Sequence, residues 1–206
     1  MVTVHSYYDF RSPFAYFAAH RIRNGHFAPF IPISWQWHAV SIDVLLNLQA
    51  GREPWAAYED PLAPPKRRHF MKDVVRNAGY FGVPIKPPNP PRSNSIPALC
   101  AALAMERDNV DHRAFRDAVF AALWQQQRDT ADGAVLYECA EMSGVAKAFI
   151  TSAYLPDARD ALVAATRDAY DAGVFGVPTF VTGGEIFFGN DRLDILAWHL
   201  MRSGDA

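Results

Sequence analysis

The sequence predicts an α/β protein in which a long all-helical insertion interrupts a four-stranded sheet. Three observations lead to this fold class: a strand–helix–strand pattern at the N-terminus, the loss of strand patterns from Ile42 to Asp171, and a hairpin followed by a helix near the C-terminus. Because both ends of the chain supply strands, we expect residues 1–40 and 174–206 to form one discontinuous domain and residues 41–173 a helical insertion domain.

The N-terminal segment has the pattern of a strand, a helix and a second strand. Polar and apolar residues alternate from Val2 to Tyr8, as is typical of a strand. Ser12 is a favoured N-cap and Pro13 a favoured first helical residue, so a helix is expected to begin there. A second alternating run from Ile31 to Trp37 can lie parallel to the first strand, because a helix joins them.

The middle of the chain is predicted to be helical throughout. Apolar residues recur at helical spacing in three stretches, Phe70 to Ala78, Ile96 to Met105 and Phe115 to Trp124. A proline-rich run from Pro84 to Pro91 cannot be helical, and we interpret it as an extended loop within this block.

The C-terminal segment predicts a hairpin and a final helix. The β-prone runs Phe180 to Thr182 and Glu185 to Phe188 are separated by two glycines, which suit a tight two-residue turn. Pro178 precedes the hairpin, where the peptide of Val177 can face a ligand instead of a neighbouring strand. The final helix is expected to have Asn190 or Asp191 as its cap and to bury Leu193, Leu196, Ala197 and Leu200.

Composition narrows the class of protein and of partner. The chain has 206 residues, half of them hydrophobic, and a formal net charge of −2, so neither nucleic acid nor an anionic membrane is an expected partner. We found no signal-peptide pattern and no long apolar run, which favours a cytoplasmic protein. Cys100 and Cys139 are too far apart in sequence for a redox pair or a zinc motif, and no metal is expected.

Several short motifs, spread from one end of the chain to the other, resemble those of the 2-hydroxychromene-2-carboxylate isomerases and the related kappa-class glutathione transferases. They are Tyr8 to Tyr16; Lys66 with Asp73 and Arg76 ahead of Gly82-Val83-Pro84; Asn94; Trp124; Phe175 to Thr179; and Phe188 to Leu193. The resemblance implies a thioredoxin-like, DsbA-like fold with a helical insertion and a cis-Pro178. The loop from Lys86 to Ser93 departs from the family in being unusually rich in proline, and this loop would help to wall the substrate pocket.

The resemblance also implies glutathione as cofactor, with a separate partner for each of its parts. The peptide of Val177, beside Pro178, would pair with the cysteinyl backbone like an added strand. Asp191 would take the γ-glutamyl ammonium, Asn190 with nearby amides the γ-glutamyl carboxylate, and Lys66 the glycine carboxylate. Without the resemblance, Asn190 and Asp191 are more simply explained as helix caps and Lys66 as a solvated lysine.

Ser12 is the expected catalytic residue. At the start of the first helix its hydroxyl would donate a hydrogen bond to the glutathione sulfur and favour the thiolate, which is the nucleophile. The simpler explanation is a helix cap worth about 1 kcal/mol, and only the position of Ser12 directly after the first strand argues for more.

The implied reaction interconverts 2-hydroxychromene-2-carboxylate and trans-o-hydroxybenzylidenepyruvate, a step in the breakdown of aromatic hydrocarbons. Reversible thiolate addition to a conjugated carbon allows the bond to rotate without an electron acceptor. Arg11 or His38 would face the substrate carboxylate, although core packing is the more common role for any single one of the aromatic candidates. The remaining candidates for the pocket are Phe10, Phe14, Tyr16, Trp37, Asn94 and Trp124.

Two alternatives remain open from the sequence. A glutathione transferase would share the cofactor site but would consume glutathione and release a conjugate. A non-catalytic thioredoxin-like binding or chaperone module would carry Ser12 as an inactive remnant, yet would have no use for Asn190, Asp191 and Lys66. The family implies a homodimer that acts on a small aromatic carboxylate.

Overall fold

The computed structural model describes residues 1–25, 32–57 and 62–203. Within those ranges the strands are β1 (Val2–Tyr8), β2 (Ile33–Ala39), β3 (Thr179–Thr182) and β4 (Glu185–Phe188). The helices are α1 (Pro13–Arg23), α2 (Ile42–Gln49), α3 (Pro64–Phe81), α4 (Ile96–Arg107), α5 (Arg113–Trp124), α6 (Gly133–Met142), α7 (Ala148–Ser152), α8 (Pro156–Asp171) and α9 (Leu193–Ser203). A 3₁₀ turn, Asn190–Arg192, joins β4 to α9.

The sheet has the strand order β2-β1-β3-β4, so that β1 lies in its interior. β1 pairs with β2 in parallel, with Ser6 opposite Trp37, and with β3 antiparallel, with Ser6 opposite Phe180. β3 and β4 form the antiparallel hairpin, whose glycines Gly183 and Gly184 have φ values of 57° and 83°. Both values are positive, as a two-residue hairpin turn that matches the strand twist requires.

The observed strands follow the predicted ones closely. β1 and β4 have the predicted bounds, and β3 begins one residue earlier, at Thr179. β2 ends two residues later than predicted, because His38 and Ala39 continue the parallel register opposite the last residues of β1. Ile31, the predicted start of β2, lies outside the described residues.

One face of the sheet is covered by α1 and α9. Ser12 caps α1 and Pro13 is its first residue. The buried side of this helix packs on the strands. Apolar side chains from β1, α1, β3 and α9 form one core cluster: Val4, Ala18, Phe180, Leu193, Leu196 and Leu200. Ala197, the other predicted core residue of α9, is partly buried against this cluster.

The helical segment packs closely on the sheet. A large core cluster joins Phe10 and Phe17, next to and within α1, to Leu99 of α4 and to Phe115 and Phe120 of α5. The helices between β2 and β3 therefore share a hydrophobic core with the strand-bearing part of the chain. Among the described helices, none has the length and apolarity needed to cross a membrane.

The start of the last helix differs from the prediction. Asn190 and Asp191 do not cap α9; they form the 3₁₀ turn that precedes it. Gly189, at φ 110°, turns the chain sharply after β4, and its carbonyl accepts a hydrogen bond from the Arg192 N–H at 3.1 Å. This tight turn uses the two residues that the sequence predicted as caps, so α9 begins only at Leu193.

Candidate active site

The turn from β1 to α1 is built around the buried carboxylate of Asp9. Asp9 Oδ1 accepts hydrogen bonds from the Arg11 N–H at 2.9 Å and from the Ser95 hydroxyl at 2.8 Å. Its Oδ2 accepts one from the Ile42 N–H at 2.9 Å, and its carbonyl accepts one from the Ser12 N–H at 3.0 Å. Burial raises the pKa of Asp9, and the nearby Arg11 guanidinium and these donors oppose the rise. Asp9 thereby fixes the position of Ser12 relative to α2 and α4.

Ser12 lies next to Val177, 165 positions further along the chain. The Ser12 hydroxyl oxygen accepts a hydrogen bond from the Ala15 N–H at 3.2 Å, and the same hydroxyl donates to the Val177 carbonyl at 3.2 Å. The direction of each bond is fixed because an amide N–H only donates and a carbonyl only accepts. The Val177–Pro178 peptide is cis, as the family resemblance implied. Ser12 and Val177 are both at least nine-tenths buried.

The loop before β3 continues into the 3₁₀ turn through direct contacts. The Gly189 N–H donates to the Pro178 carbonyl at 2.9 Å, which holds the end of β4 against the start of β3. The Asn190 carbonyl accepts a hydrogen bond from Arg21 Nη1 at 2.6 Å. Ser12, Val177, Pro178 and Asn190 are therefore linked, through these contacts and Gly189, into one strip that runs from the start of α1 to the 3₁₀ turn.

Asn190 and Asp191 present oxygen acceptors side by side. Asn190 is 3% exposed, and its side-chain Oδ1 has no hydrogen-bond partner among the described residues. Asp191 is exposed and forms an ion pair with Arg192 at 3.0 Å. A Cβ at Gly189 would overlap Asp191 Oδ1, so the glycine leaves room for this carboxylate to fold back against the backbone.

Arg21 supports this turn from within the core. It is 3% exposed, donates to Asp194 at 2.9 Å and lies over the Phe81 ring at 4.2 Å from its centroid. Sequence reasoning missed Arg21, and the signal that could have found it is a basic residue beside the apolar stripe of α1. Reasoning also missed Asp9, whose signal is an acidic residue directly after a buried strand.

α3 runs along α1 and reaches both ends of the strip. Near its start Phe70 packs edge-on against Phe14, with ring centroids 5.2 Å apart. Further along, Asn77 Oδ1 accepts a hydrogen bond from Asn190 Nδ2 at 3.4 Å. Lys66 lies one turn before Phe70 and is exposed, on the end of α3 near the start of α1.

A cleft of about 260 Å³ lies beside Ser12, between the start of α1, α3 and the proline-rich loop. Its walls include Arg11, Pro13, Phe70, Val74, Arg92 and Trp124. The indole N–H of Trp124 donates to the Phe10 carbonyl at 2.8 Å, which fixes the orientation of that wall. The cleft is mainly apolar with arginines at its edge, and its volume is close to the roughly 300–1,000 Å³ of pockets for small ligands.

Arg11, predicted to face a substrate carboxylate, is held by an acidic partner. Its guanidinium forms two hydrogen bonds with the Asp43 carboxylate, at 2.5 and 3.0 Å. This two-pronged pair is the strong form of an arginine–carboxylate contact, so much of the charge of Arg11 is already neutralised.

Two predicted pocket residues lie in the core instead of along this cleft. Phe10 is fully buried, with its ring 5.3 Å from that of Tyr8 and 5.1 Å from that of Phe120. Trp37 is 4% exposed and is covered by the guanidinium of Arg116, 3.7 Å from the ring centroid. Both aromatics contribute to packing, the alternative that the sequence had left open.

His38 and Asn94 also lie away from the cleft. His38 points to the opposite face of the sheet from Trp37, because successive residues of a strand alternate. There it contacts His5 at 2.9 Å and Glu106 at 2.5 Å, and burial together with His38 lowers the pKa of His5. Asn94 Oδ1 accepts a hydrogen bond from the Ile96 N–H at 3.0 Å, at the start of α4.

Neither cysteine lies among these site residues. Cys100 and Cys139 are both free and buried, and burial raises the pKa of each thiol to about 11. Across residues 1–25, 32–57 and 62–203, no group of three or more histidine, cysteine or acidic side chains is arranged to hold a metal ion.

The fold and this arrangement at the start of α1 define the class of protein. A family model described as a DSBA-like thioredoxin domain matches residues 3–201. The cytosolic disulfide reductase DsbM from Pseudomonas aeruginosa, solved with GSH, has the same fold, with a TM-score of 0.63 at 19% identity over 100% of both chains. These similarities establish a DsbA-like thioredoxin fold.

Within that class two further similarities are more specific. The 2-hydroxychromene-2-carboxylate isomerase of Sphingobium xenophagum is 31% identical over 213 residues, covering 97% of this chain and 98% of that protein. A solved structure of a 2-hydroxychromene-2-carboxylate isomerase gives a TM-score of 0.79 at 24% identity, over 97% of this chain and 95% of the other. The chain belongs to the 2-hydroxychromene-2-carboxylate isomerase family.

Proposed function

We propose that this protein is a glutathione-dependent isomerase that interconverts 2-hydroxychromene-2-carboxylate and trans-o-hydroxybenzylidenepyruvate. The observation that carries the proposal is the Ser12 hydroxyl, which is held between the first turn of α1 and the Val177 carbonyl. The two chain neighbours of Ser12, Arg11 and Pro13, line an apolar cleft. The isomerase relative, similar over nearly its whole length, supports the reaction type.

The side chains along the strip fit the chemistry of the tripeptide. Asn190 Oδ1, buried without a partner among the described residues, and the Asp191 carboxylate are both acceptors. They would together hold the γ-glutamyl ammonium, since an ammonium offers only donors. Lys66 would hold the glycine carboxylate, and the Val177 backbone would pair with the cysteinyl backbone. This differs from the sequence-based prediction, which assigned Asn190 to the γ-glutamyl carboxylate.

The proposed chemistry needs a thiolate beside an aromatic substrate. Glutathione would supply the thiolate, which adds reversibly to a conjugated carbon of the ring-opened substrate and leaves after bond rotation, with no net redox change. Ser12 would donate a hydrogen bond from its hydroxyl to the thiolate sulfur, and the N-terminal end of α1 would favour the negative charge. Phe70, Val74 and Trp124 would hold the planar ring in the cleft and exclude water.

The test separates the capping role of Ser12 from a role at the sulfur. Asparagine caps helices as well as serine does but brings no hydroxyl. We expect Ser12→Asn to change the free energy of unfolding by less than about 1 kcal/mol. Isomerisation at saturating glutathione should fall about ten- to hundredfold, as expected when a hydrogen bond to a charged group is lost. Ser41→Asn is the matched control, because Ser41 is a buried serine that caps α2 through the Val44 N–H.

The measurements are the rate of isomerisation with and without glutathione, and the thiolate absorbance of bound glutathione against pH. The proposal expects a glutathione-dependent rate, an unchanged glutathione concentration after many turnovers, and a raised thiol pKa in Ser12→Asn. Steady loss of glutathione would indicate the transferase instead. Near-normal turnover in Ser12→Asn would contradict the role given to the Ser12 hydroxyl and would assign stabilisation of the thiolate to the N-terminal end of α1 alone.

A further inference from the structure

The proline-rich loop is fastened to the end of α5 and to the segment that follows it. The Lys86 N–H donates to the Trp124 carbonyl at 2.6 Å, and the side-chain amide of Gln127 donates to the Pro87 carbonyl at 3.0 Å. Four prolines from Pro87 to Pro91 fix φ at their positions, so the loop is a stiff wall. A displacement of its start is therefore passed along the loop.

The start of this wall is held by α1 through Tyr16. The Tyr16 hydroxyl donates to the Pro84 carbonyl at 2.8 Å, and its oxygen accepts a hydrogen bond from Gln125 Nε2 at 2.9 Å. The direction of the first bond is fixed because a carbonyl only accepts, and the hydroxyl oxygen is then the acceptor for Gln125. Burial raises the pKa of Tyr16, so the hydroxyl remains a donor at neutral pH.

Tyr16 itself does not line the cleft, although the sequence had made it an aromatic candidate for the pocket. It is 3% exposed, and the centroid of its ring lies 5.7 Å from that of Phe120. Both of its hydrogen-bond partners adjoin walls of the cleft. Pro84 leads into the loop whose prolines line the cleft, and Gln125 directly follows the wall residue Trp124. Any effect of Tyr16 on a bound ring is therefore indirect.

The same helix carries Ser12 one turn before Tyr16. The Tyr16 N–H donates to the Ser12 carbonyl at 3.1 Å. One helical turn and one side-chain hydrogen bond thus connect the proposed catalytic hydroxyl to the start of the proline wall. Loss of the side-chain bond would release the wall but leave Ser12 in place, because Asp9 and Val177 hold Ser12 through separate contacts.

We propose that Tyr16 is a positioning residue that holds the proline wall at a fixed distance from Ser12 and so determines how tightly the cleft binds a planar aromatic acid. This inference rests on the proposed function, because it concerns the substrate of the same site. A flat ring makes contact over both of its faces only while the walls of the cleft keep one spacing. When the wall leaves its binding position in a fraction of the molecules, the apparent affinity falls in proportion to the fraction that remains competent.

The test removes one hydroxyl and follows the two ligands of the site separately. The probes are glutathione and, at fixed glutathione, trans-2-hydroxycinnamate, a planar acid with a hydroxyphenyl ring and a conjugated double bond; each is titrated calorimetrically into the full chain. In Tyr16→Phe we expect the affinity for the acid to fall about three- to tenfold, the range for loss of one neutral hydrogen bond, with the affinity for glutathione unchanged. In the isomerase assay KM should rise by the same factor while kcat stays within about twofold.

Tyr154→Phe is the matched control. The Tyr154 hydroxyl also donates to a backbone carbonyl, that of Ala131 at 3.0 Å, and neither residue lines the cleft. Each variant should lower the melting temperature by no more than about 2–4 °C, the shift expected for one hydrogen bond in a chain of this size. Only Tyr16→Phe should weaken binding of the acid.

Unchanged affinity for the acid in Tyr16→Phe, or an equal loss in both tyrosine variants, would show that the hydroxyl contributes to stability alone. Equal weakening of acid and glutathione would place the effect at Ser12 instead of the wall, and failure of the wild type to bind the acid would remove the ligand that the wall is proposed to hold. Each of these results overturns the inference. If the protein does not isomerise the chromene acid but Tyr16→Phe still weakens the acid alone, the proposed function fails and the role of Tyr16 stands.

Discussion

Asp9 is fully buried, and its two carboxylate oxygens accept hydrogen bonds from several donors. Three groups, the N–H groups of Arg11 and Ile42 and the Ser95 hydroxyl, donate to its two oxygens. Burial acts in the other direction and raises its pKa. At the turn that carries Ser12, burial raises the pKa of Asp9, and the donors and the nearby Arg11 guanidinium oppose that rise without cancelling it.

We predict that Asp9→Asn destabilises the protein by about 1–3 kcal/mol, because the amide NH₂ faces a donor that is then left without an acceptor. A raised folded pKa means that the folded state binds more protons than the unfolded state above pH 3.8, the ordinary value for this carboxyl. The contribution of Asp9 to stability is thus present below that pH and declines as pH rises.

Urea unfolding of wild type and Asp9→Asn from pH 3.5 to 7.5 measures both effects. The difference in unfolding free energy should be larger at the acid end than at neutral pH. A difference that grows with pH would mean that the donors outweigh burial and that the pKa of Asp9 is lowered.

The sequence predicts the positions of some residues of the site and not the contacts of others. The positions of Ser12 and Val177 were predictable because each stands in a local pattern, a helix start after a strand and a proline before a hairpin. The contacts of Asp9 and Arg21 were not predictable, because several of their partners lie far along the chain, Ile42 and Ser95 in the case of Asp9. For Arg21 these are Asn190 and Asp194, which only the folded arrangement of α1 and the 3₁₀ turn brings near.

Among the elements, the loop that carries Val177 is pressed against the hairpin at Gly176. A Cβ at this position would lie 2.7 Å from Cε2 of Phe188, closer than van der Waals contact allows. The Gly176 carbonyl also accepts a hydrogen bond from the Thr179 hydroxyl at 2.7 Å. Any larger residue at this position therefore forces the Phe188 ring to shift, and glycine allows the close approach of the loop and β4.

We predict that Gly176→Ala destabilises the protein by about 1–3 kcal/mol, the usual cost of overpacking. Phe188→Leu shortens the opposing side chain and should relieve the clash. The double variant should therefore be more stable than the sum of the two single effects implies, as a thermal or urea double-mutant cycle would measure. Strict additivity would show that Gly176 is needed for another reason than contact with Phe188.

Element bounds were predictable where one local pattern decided them. β1 alternates along its length, β4 is a short β-prone run that follows two glycines, and the predicted bounds of both were correct. The prediction of Asn190 or Asp191 as a cap of α9 was wrong, because the 3₁₀ turn is stabilised by packing between α1, β4 and α9, which no local pattern reports. The positions of the predicted pocket residues depended in the same way on how the helical segment packs, and Phe10 and Trp37 were drawn into the shared core.

At the scale of the whole molecule, the protein keeps its own thiols away from the proposed thiol site. Cys100 and Cys139 are each 3% exposed, and the pKa of each is about 11. At pH 8 both are protonated as well as inaccessible, so neither is a good nucleophile.

We predict that, in the native protein at pH 8, the thiols react with a thiol-specific disulfide reagent no faster than unfolding exposes them. In denaturant, two thiols per chain should react immediately. Absorbance of the released thiolate measures both rates. Prior treatment of the native protein should leave its isomerase activity intact. Rapid labelling of one thiol in the native state would contradict the burial described for α4 and α6.

The hydrogen bond from Ser12 to Val177 makes the backbone carbonyl a competitor for the same proton that the proposed mechanism directs to sulfur. A sulfur beside Ser12 receives this hydrogen bond only if it is a better acceptor than the amide oxygen of Val177. A neutral thiol or a thioether is a weaker acceptor and would leave the hydroxyl on Val177, whereas a thiolate would win it. Only a sulfur that accepts a hydrogen bond better than the Val177 carbonyl would draw the Ser12 hydroxyl away from it. The proposed site would in this way distinguish the thiolate form of the cofactor from its protonated or alkylated forms.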